Sequence, residues 1–318
     1  MIRYLQSKSF KMALSATISV LISNHLGLKF GVTSGIIAIL SIQDTKKDSV
    51  VVSIKRIAAA IIGILLSYML YIILGNSPII FGLFLLIFIP LTIKMNILEG
   101  MVPASVLSTH LLTSSNIDKT WIINEILLTI VGVGVAMMFN LYTISLEEDF
   151  ENNKAKIEDY YRTILSDLAV SLVTQKLPAD EKEVFDYVEN LIDETKIMAQ
   201  KIYKNYFLKS NEIYISYVDM RSAQFESLKR MKRHFSRFYM TYDQTKLLSE
   251  FTQDVAVNIY ADNDCRQLIE KLNVLREEYK AMELPQNREE FENRALLLQF
   301  LNDLEDFLMI KREFKKKF

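Results

Sequence analysis

Residues 121–154 read WIINEILLTIVGVGVAMMFNLYTISLEEDFENNK, and this stretch divides the chain into two kinds of polymer. Up to Ile144 it is an apolar run long enough for a helix to cross about 30 Å of hydrocarbon. From Glu147 onward it turns to charge. The same contrast holds on either side. The 318 residues carry 37 Lys and Arg and 38 Asp and Glu, of which ten and five precede residue 147 while 27 and 33 follow it. The net charge of -1 therefore averages a front half near +5 and a back half near -6. Residues 1–146 read as a membrane domain and 147–318 as a water-soluble one. That division excludes most soluble-enzyme classes and leaves transport, conduction or membrane-bound sensing. One cysteine, Cys265, cannot form an internal disulfide, which suits a reducing cytosol for the back half.

Outward from span 121–144, hydropathy predicts five earlier spans: 10–26, 31–42, 56–74, 78–93 and 101–113. Segments 31–42 and 101–113 are short for a bilayer. They read as buried half-spans or as helices behind longer neighbours, with four full spans plus two re-entrant segments as the alternative. Arg3, Lys8 and Lys11 ahead of the apolar run 12–22 look like the start of a signal peptide, but no clean cleavage site follows, so an uncleaved first span is expected. An inside N-terminus places Arg3, Lys8, Lys11, Lys46, Lys47, Lys55, Arg56 and Lys94 on the cytoplasmic side and only Lys29 and Lys119 outside. The back half then lies in the cytosol, beneath a plasma membrane. Trp121, Tyr71 and Tyr142 fall near span ends, as interfacial aromatics do. Small residues recur at four-residue steps (Gly31 and Gly35; Ala59, Gly63 and Ser67; Gly132 and Ala136) and predict close helix packing, within one bundle or between protomers.

Polar residues within or beside apolar spans are costly, about 2.5–3.5 kcal/mol for a central charge, so those retained are candidates for a substrate path. They are Gln43, Arg56, Lys94, Asn96, His110, Glu125 and Asn140. Each also has a plain reading. Arg56 at a span end could snorkel to headgroups, His110 could bond a neighbouring helix, and Glu125 could reach interfacial water. His25 reads as interfacial. Taken jointly, cations at an inner mouth with His and Glu deeper in the bundle describe an anion path with a protonatable element.

The back half shows apolar residues at steps of three and four throughout, as in Ile157, Tyr161, Ile164, Leu168 and Leu172. Pro178 and Pro285 stand where helices should begin, and Asp262-Asn263-Asp264 reads as a break and cap. The fold class is therefore all-α: a polytopic membrane domain of about six spans followed by a cytosolic antiparallel helical bundle. No Gly-rich phosphate loop accompanies it, so ATP-driven pumping is not expected, and no cofactor or metal is implied. His234 lies among Lys229, Arg230, Lys232, Arg233 and Arg237. This cluster and the tail Lys311-Arg312…Lys315-Lys316-Lys317 read as a solvated face and a frayed end, or as contacts with anionic membrane lipids. A net acidic domain without a recognition motif predicts no nucleic-acid partner.

Gln43…Lys55-Arg56-Ile57…Ile62-Gly63 resembles a segment of the aromatic acid exporter family in which a Gln precedes an Arg that opens a Gly-containing span. Asn124-Glu125…Gly132-Val133-Gly134…Asn140-Leu141 is similar to that family's last span, with an acidic start, a Gly-rich middle and an Asn near the inner end. The resemblance extends to fusaric-acid-resistance exporters and more distantly to plant malate channels. It implies efflux of small organic anions, aromatic carboxylates foremost. Longer exporters of the superfamily carry the membrane-plus-cytosolic unit twice, so a homodimer would restore the doubled unit here. An anion channel and a membrane-anchored sensor or scaffold are the alternatives.

Overall fold

The computed structural model describes residues 8–114, 118–141, 146–206, 212–235, 243–260 and 263–318. Arg3, Tyr142, Ile144, Arg237, Phe238 and Asp262 lie outside the described residues. Among those described, the chain forms twelve α-helices: α1 (Lys8–His25), α2 (Val32–Ser41), α3 (Lys46–Leu74), α4 (Pro78–Lys94), α5 (Met101–Thr113), α6 (Lys119–Leu141), α7 (Glu147–Thr174), α8 (Glu181–Asn205), α9 (Glu212–His234), α10 (Asp243–Val257), α11 (Arg266–Ala281) and α12 (Arg288–Lys317). They divide into two compact units, 1–145 with 204–208 and 146–203 with 209–318.

The first unit is apolar on its outside as well as in its interior, unlike a soluble bundle. The buried residues of α1 are Ser15, Ser19 and Ser23, while Leu21 is 62% exposed. Exposed apolar side chains continue around the unit, with Ile73, Ile79, Leu86 and Met138 all more than 70% exposed. A water-soluble fold buries such groups, whereas a bilayer solvates them. Helices α3 and α6, of 29 and 23 residues, are long and apolar enough to cross a membrane. α2, of 10 residues, and α4, of 17, are shorter apolar helices.

Two differences from the sequence reading matter. Helix α3 begins at Lys46, ten residues before the expected span. Thr45 is extended and its side chain accepts from the Asp48 N–H at 3.2 Å, which caps the helix, and Val50-Val51-Val52 continue the apolar run. Arg56 therefore sits at the eleventh of 29 positions, inside a helix rather than at its opening. Tyr71 is not interfacial: it is buried, with its hydroxyl 2.9 Å from Ser108 Oγ.

The small residues mark helix contacts within the unit. A Cβ on Gly132 of α6 would lie 2.5 Å from the Ser34 carbonyl of α2, so α6 approaches α2 backbone closely. A Cβ on Gly100 would lie 2.9 Å from Arg56 Cα, and this lets the turn before α5 rest on α3.

The second unit follows the soluble rule. Phe185, Val188, Leu191, Ile192, Ala199 and Ile202 line the buried side of α8, at steps of one turn. They join the core that α7 and α9–α12 share. Asn287 caps α12 by accepting from the Glu290 N–H at 2.7 Å. Glu290 in turn accepts from the Gln286 N–H at 3.0 Å, a reciprocal cap. Asn263 and Asp264 accept from the Cys265 and Arg266 N–H groups at the turn into α11, where the N-cap position itself is Cys265, left-handed and without a side-chain cap. Cys265 is buried, and burial pushes its thiol pKa up.

Candidate functional site

Five of the seven candidate residues, Gln43, Arg56, Asn140, His110 and Glu125, lie at the two ends of α2. Thr33 lies at one end and Ser41 at the other, eight residues or about 12 Å apart along the axis.

At the Ser41 end, Arg56 Nη1 donates to Ser41 Oγ at 2.9 Å and to the Ile37 carbonyl at 3.4 Å. Ser41 Oγ donates its own proton to the Ile37 carbonyl at 2.7 Å, so the hydroxyl is fixed as an acceptor for the guanidinium. Arg56 is only 7% exposed. Its Nε has no hydrogen-bond partner, and no carboxylate lies within ion-pair distance of it among the described residues. The neighbouring cation differs: Lys55 Nζ pairs with Glu99 at 2.8 Å. Asn140 of α6 completes the cluster. Its amide donates to Ser49 Oγ at 2.7 Å and to the Ser41 carbonyl at 3.1 Å, while its oxygen accepts from the Gln43 N–H at 3.3 Å. Asn140 thus ties the end of α2 and the start of α3 to α6. Gln43 takes part through its backbone, and its side-chain amide reaches only the Leu40 carbonyl, at 3.5 Å.

At the Thr33 end, His110 Nδ1 stands 2.8 Å from Glu125 Oε2, with Glu125 fully buried and His110 8% exposed. Thr33 Oγ1 lies 3.3 Å from the other ring nitrogen. Asn124 donates to Glu125 Oε1 at 3.0 Å and also brackets the Lys29 backbone, accepting at 2.8 Å and donating at 3.1 Å. Phe30 stacks on the His110 ring at 4.2 Å and 9°. Its backbone is left-handed, with φ of 58°, a conformation that costs a non-glycine residue about 1–2 kcal/mol. The strained turn holds an aromatic cover over the imidazole. Lys29 Nζ sits 4.4 Å over the Trp121 ring beside it.

A buried carboxylate hydrogen-bonded to an imidazole is an arrangement in which the two groups can share a proton. The Arg56 guanidinium is held by a hydroxyl and a carbonyl, both neutral, with the Glu99 charge acting on it from beyond ion-pair distance. The structure thus brings together Arg56, Asn140 and the Gln43 backbone, and separately His110 and Glu125. Lys94 and Asn96 join neither group. Both are exposed at the end of α4, and Asn96 is left-handed, with φ of 55°. Sequence reasoning did not single out Phe30, Thr33, Ser41 or Ser49. One signal was present: the hydroxyls of α2 fall only at its ends, beside Gln43 and beside Gly31.

In the second unit, the basic cluster is largely consumed by ion pairs. His234 Nε2 meets Asp303 at 2.8 Å, Arg230 meets Asp303 at 2.5 Å and Asp306 at 3.1 Å, Lys229 meets Glu226 at 2.5 Å, and Lys232 meets Glu181. The tail is not frayed either, because α12 runs to Lys317 and buries Lys311.

Comparison with known proteins agrees with this architecture. Residues 4–143 match the model described as "Aromatic acid exporter family member 1", and residues 147–312 match the "Putative aromatic acid exporter C-terminal domain". The uncharacterized protein YqjA of Bacillus subtilis (strain 168) is 36% identical over 308 residues, covering 97% of this chain and 95% of that protein. The UPF0421 protein YgaE of the same organism is 30% identical over 114 residues, 36% of this chain and 32% of that protein. The crystal structure of a putative membrane protein from Clostridium difficile 630 matches with a TM-score of 0.49 and 23% identity, covering 53% of this chain and 98% of that one. With family matches over both domains and a relative similar along nearly its whole length, the chain is a membrane protein that belongs to the aromatic acid exporter family, carrying one copy of each domain.

Proposed function

We propose that this protein exports small organic anions, aromatic carboxylates foremost, across the plasma membrane in exchange for protons. The observation that carries this reading is Arg56: a buried cation with no ion pair among the described residues, in a unit whose surroundings are apolar and where Glu99, the carboxylate that acts on it, is already paired with Lys55. Keeping such a charge dry is expensive, and a transient anion offsets that cost. The anion's carboxylate engages Arg56 beside Ser41, and Asn140 keeps that corner of the three helices in register. His110 and Glu125, at the far end of α2, exchange a proton with the opposite compartment. This pair favours a coupled carrier over a passive channel, because an anion channel has no need of a buried protonatable pair. Lys94 contributes only to the charge near the entrance, and Asn96, a neutral amide, contributes none. In this reading the N-terminus and the second unit face the cytosol, and two copies assemble as the working form.

The test is uptake of labelled 4-hydroxybenzoate by inverted membrane vesicles, with and without an imposed proton gradient. Gradient-driven accumulation is expected, with Glu125→Gln abolishing the uphill component and flattening its pH dependence. Equilibration without accumulation would mean a channel. No flux for a panel of aromatic acids would overturn the reading.

A further inference from the structure

The second unit contains a cavity of about 220 Å³ between α7, α9 and α12. A cavity of roughly 150 Å³ accommodates benzene, so this one has room for a single ring with a small substituent. Its walls are aromatic. Phe150 meets Tyr214 edge to face at 4.9 Å and Tyr217 at 6.1 Å, and Tyr217 meets Phe314 at 6.0 Å. Such rings accept a further ring in offset or edge contact.

The lining is also cationic, and its charges are not equally matched. Arg221 lies wholly buried and donates to Tyr217, to Gln224 at 2.9 Å and to Glu158, so its charge is balanced. Lys154 pairs with Glu151 at 2.9 Å. Lys311, 3% exposed, has one partner among the described residues, the backbone carbonyl of Tyr260. Glu158, the carboxylate that faces it, is already held by Arg221 and Tyr217, and a buried ammonium with three donors and no ion pair of its own is costly unless something anionic completes it. Aromatic walls around one unmatched cation are the complement of an aromatic carboxylate.

We propose that this cavity is a second binding site, separate from the Arg56 cluster, in which Lys311 takes the carboxylate of a small aromatic acid and the Phe150–Tyr217–Phe314 walls take its ring. The argument comes from the cavity's own groups and does not depend on the export reading. A site of this kind in the second unit lets the protein register the concentration of an aromatic acid without moving it.

Protonation gives the site a signature. Burial, reinforced by the Arg221 charge, pushes the Lys311 ammonium down to about 8. The charged and titratable groups facing it are Arg221 and Glu158 from α9 and α7, Cys265 ahead of α11, and Lys315 on its own helix. A bound carboxylate favours the ammonium, so binding at pH 8 draws in up to about half a proton per site.

The experiment is calorimetric titration of the full-length protein in nanodiscs, without any gradient, using 4-hydroxybenzoate and the neutral 4-hydroxybenzamide. Runs at pH 8 in two buffers of different ionisation enthalpy read the proton uptake. Wild type is expected to bind the acid saturably with proton uptake and to ignore the amide. Lys311→Met should weaken that binding at least tenfold and remove the uptake. Ile213→Trp, which fills the exposed rim of the cavity from outside the core, should weaken it similarly and decides the matter if Lys311→Met fails to fold. Arg56→Gln, which removes any binding at the membrane path, should leave the component that Lys311→Met abolishes, and this separates the two sites. No saturable binding by wild type would overturn the proposal. So would equal binding of acid and amide, or binding unaltered in both cavity variants.

Discussion

Each unit buries an arginine, and the two are held in opposite ways. Arg221, in the second unit, meets a phenol, an amide oxygen and a carboxylate, and lies against the Tyr161 and Tyr217 rings. Arg56, in the first, meets one hydroxyl and one backbone carbonyl and leaves its Nε bare. The first arrangement is closed, so its charge is spent on the fold. The second is open: Arg56 makes no ion pair among the described residues, and Glu99, which acts on it, is paired with Lys55. Lys311 is the intermediate case: it lies in the unit that pairs its charges, yet it has only a carbonyl.

The strongest way to break this comparison is Arg221→Met. Removing one member of a buried pair strands Glu158, Tyr217 and Gln224, and should cost about 3–5 kcal/mol of stability. Hydrogen–deuterium exchange across α9 and α12 of the full chain should rise accordingly, and unaltered protection would show that the network is dispensable. Next in size is Arg56→Gln. A charged hydrogen bond is worth about 1.5–3 kcal/mol, so export should fall roughly 10- to 100-fold while thermal stability stays within about 1 kcal/mol of wild type.

Lys311→Met should act in the reverse direction and stabilise. The folded state holds this ammonium at about 8 against an ordinary 10.5. Below pH 8 the folded chain therefore carries the full cost, roughly 3 kcal/mol at about 1.4 kcal/mol per pH unit. Between pH 8 and 10.5 the unfolded chain alone keeps the proton, so wild-type stability rises with pH across that window. Losing the bond to Tyr260 returns about 1–1.5 kcal/mol, leaving a net gain of about 1–2 kcal/mol at pH 7. That gain should vanish at about pH 9.5, where the remaining charge cost only matches the lost bond, and thermal melts across this range measure it. The smallest effect belongs to Lys94→Ala, an exposed position outside both clusters: export should change less than about twofold.

The first unit's chemistry was legible in the sequence where charge is rare. Arg56, His110, Glu125 and Asn140 stand out because an apolar helix seldom carries such groups. Their partners did not stand out. Thr33, Ser41 and Ser49 belong to residue types common in membrane helices, and only packing tells a structural hydroxyl from one that meets a guanidinium. The start of α3 was hidden for a related reason. Lys46-Lys47-Asp48 reads as a charged loop, although Thr45 caps it and Asp48 suits a helix N-terminus. In the second unit, helical periodicity showed the bundle, but Lys311 looked like tail charge. Its position continues the buried stripe Leu297, Leu301, Leu304 and Leu308 at helical spacing, but its charge and the basic residues after it masked that pattern.

The most direct test of the account compares wild type, Arg56→Lys and Arg56→Gln in proteoliposomes loaded with 4-hydroxybenzoate and given a fixed proton gradient. The account predicts rapid efflux for wild type, partial efflux for Arg56→Lys because charge without the guanidinium fork is retained, and a loss of at least tenfold for Arg56→Gln. Equal efflux from all three would contradict it, since Arg56 would then be no more than another closed, structural arginine.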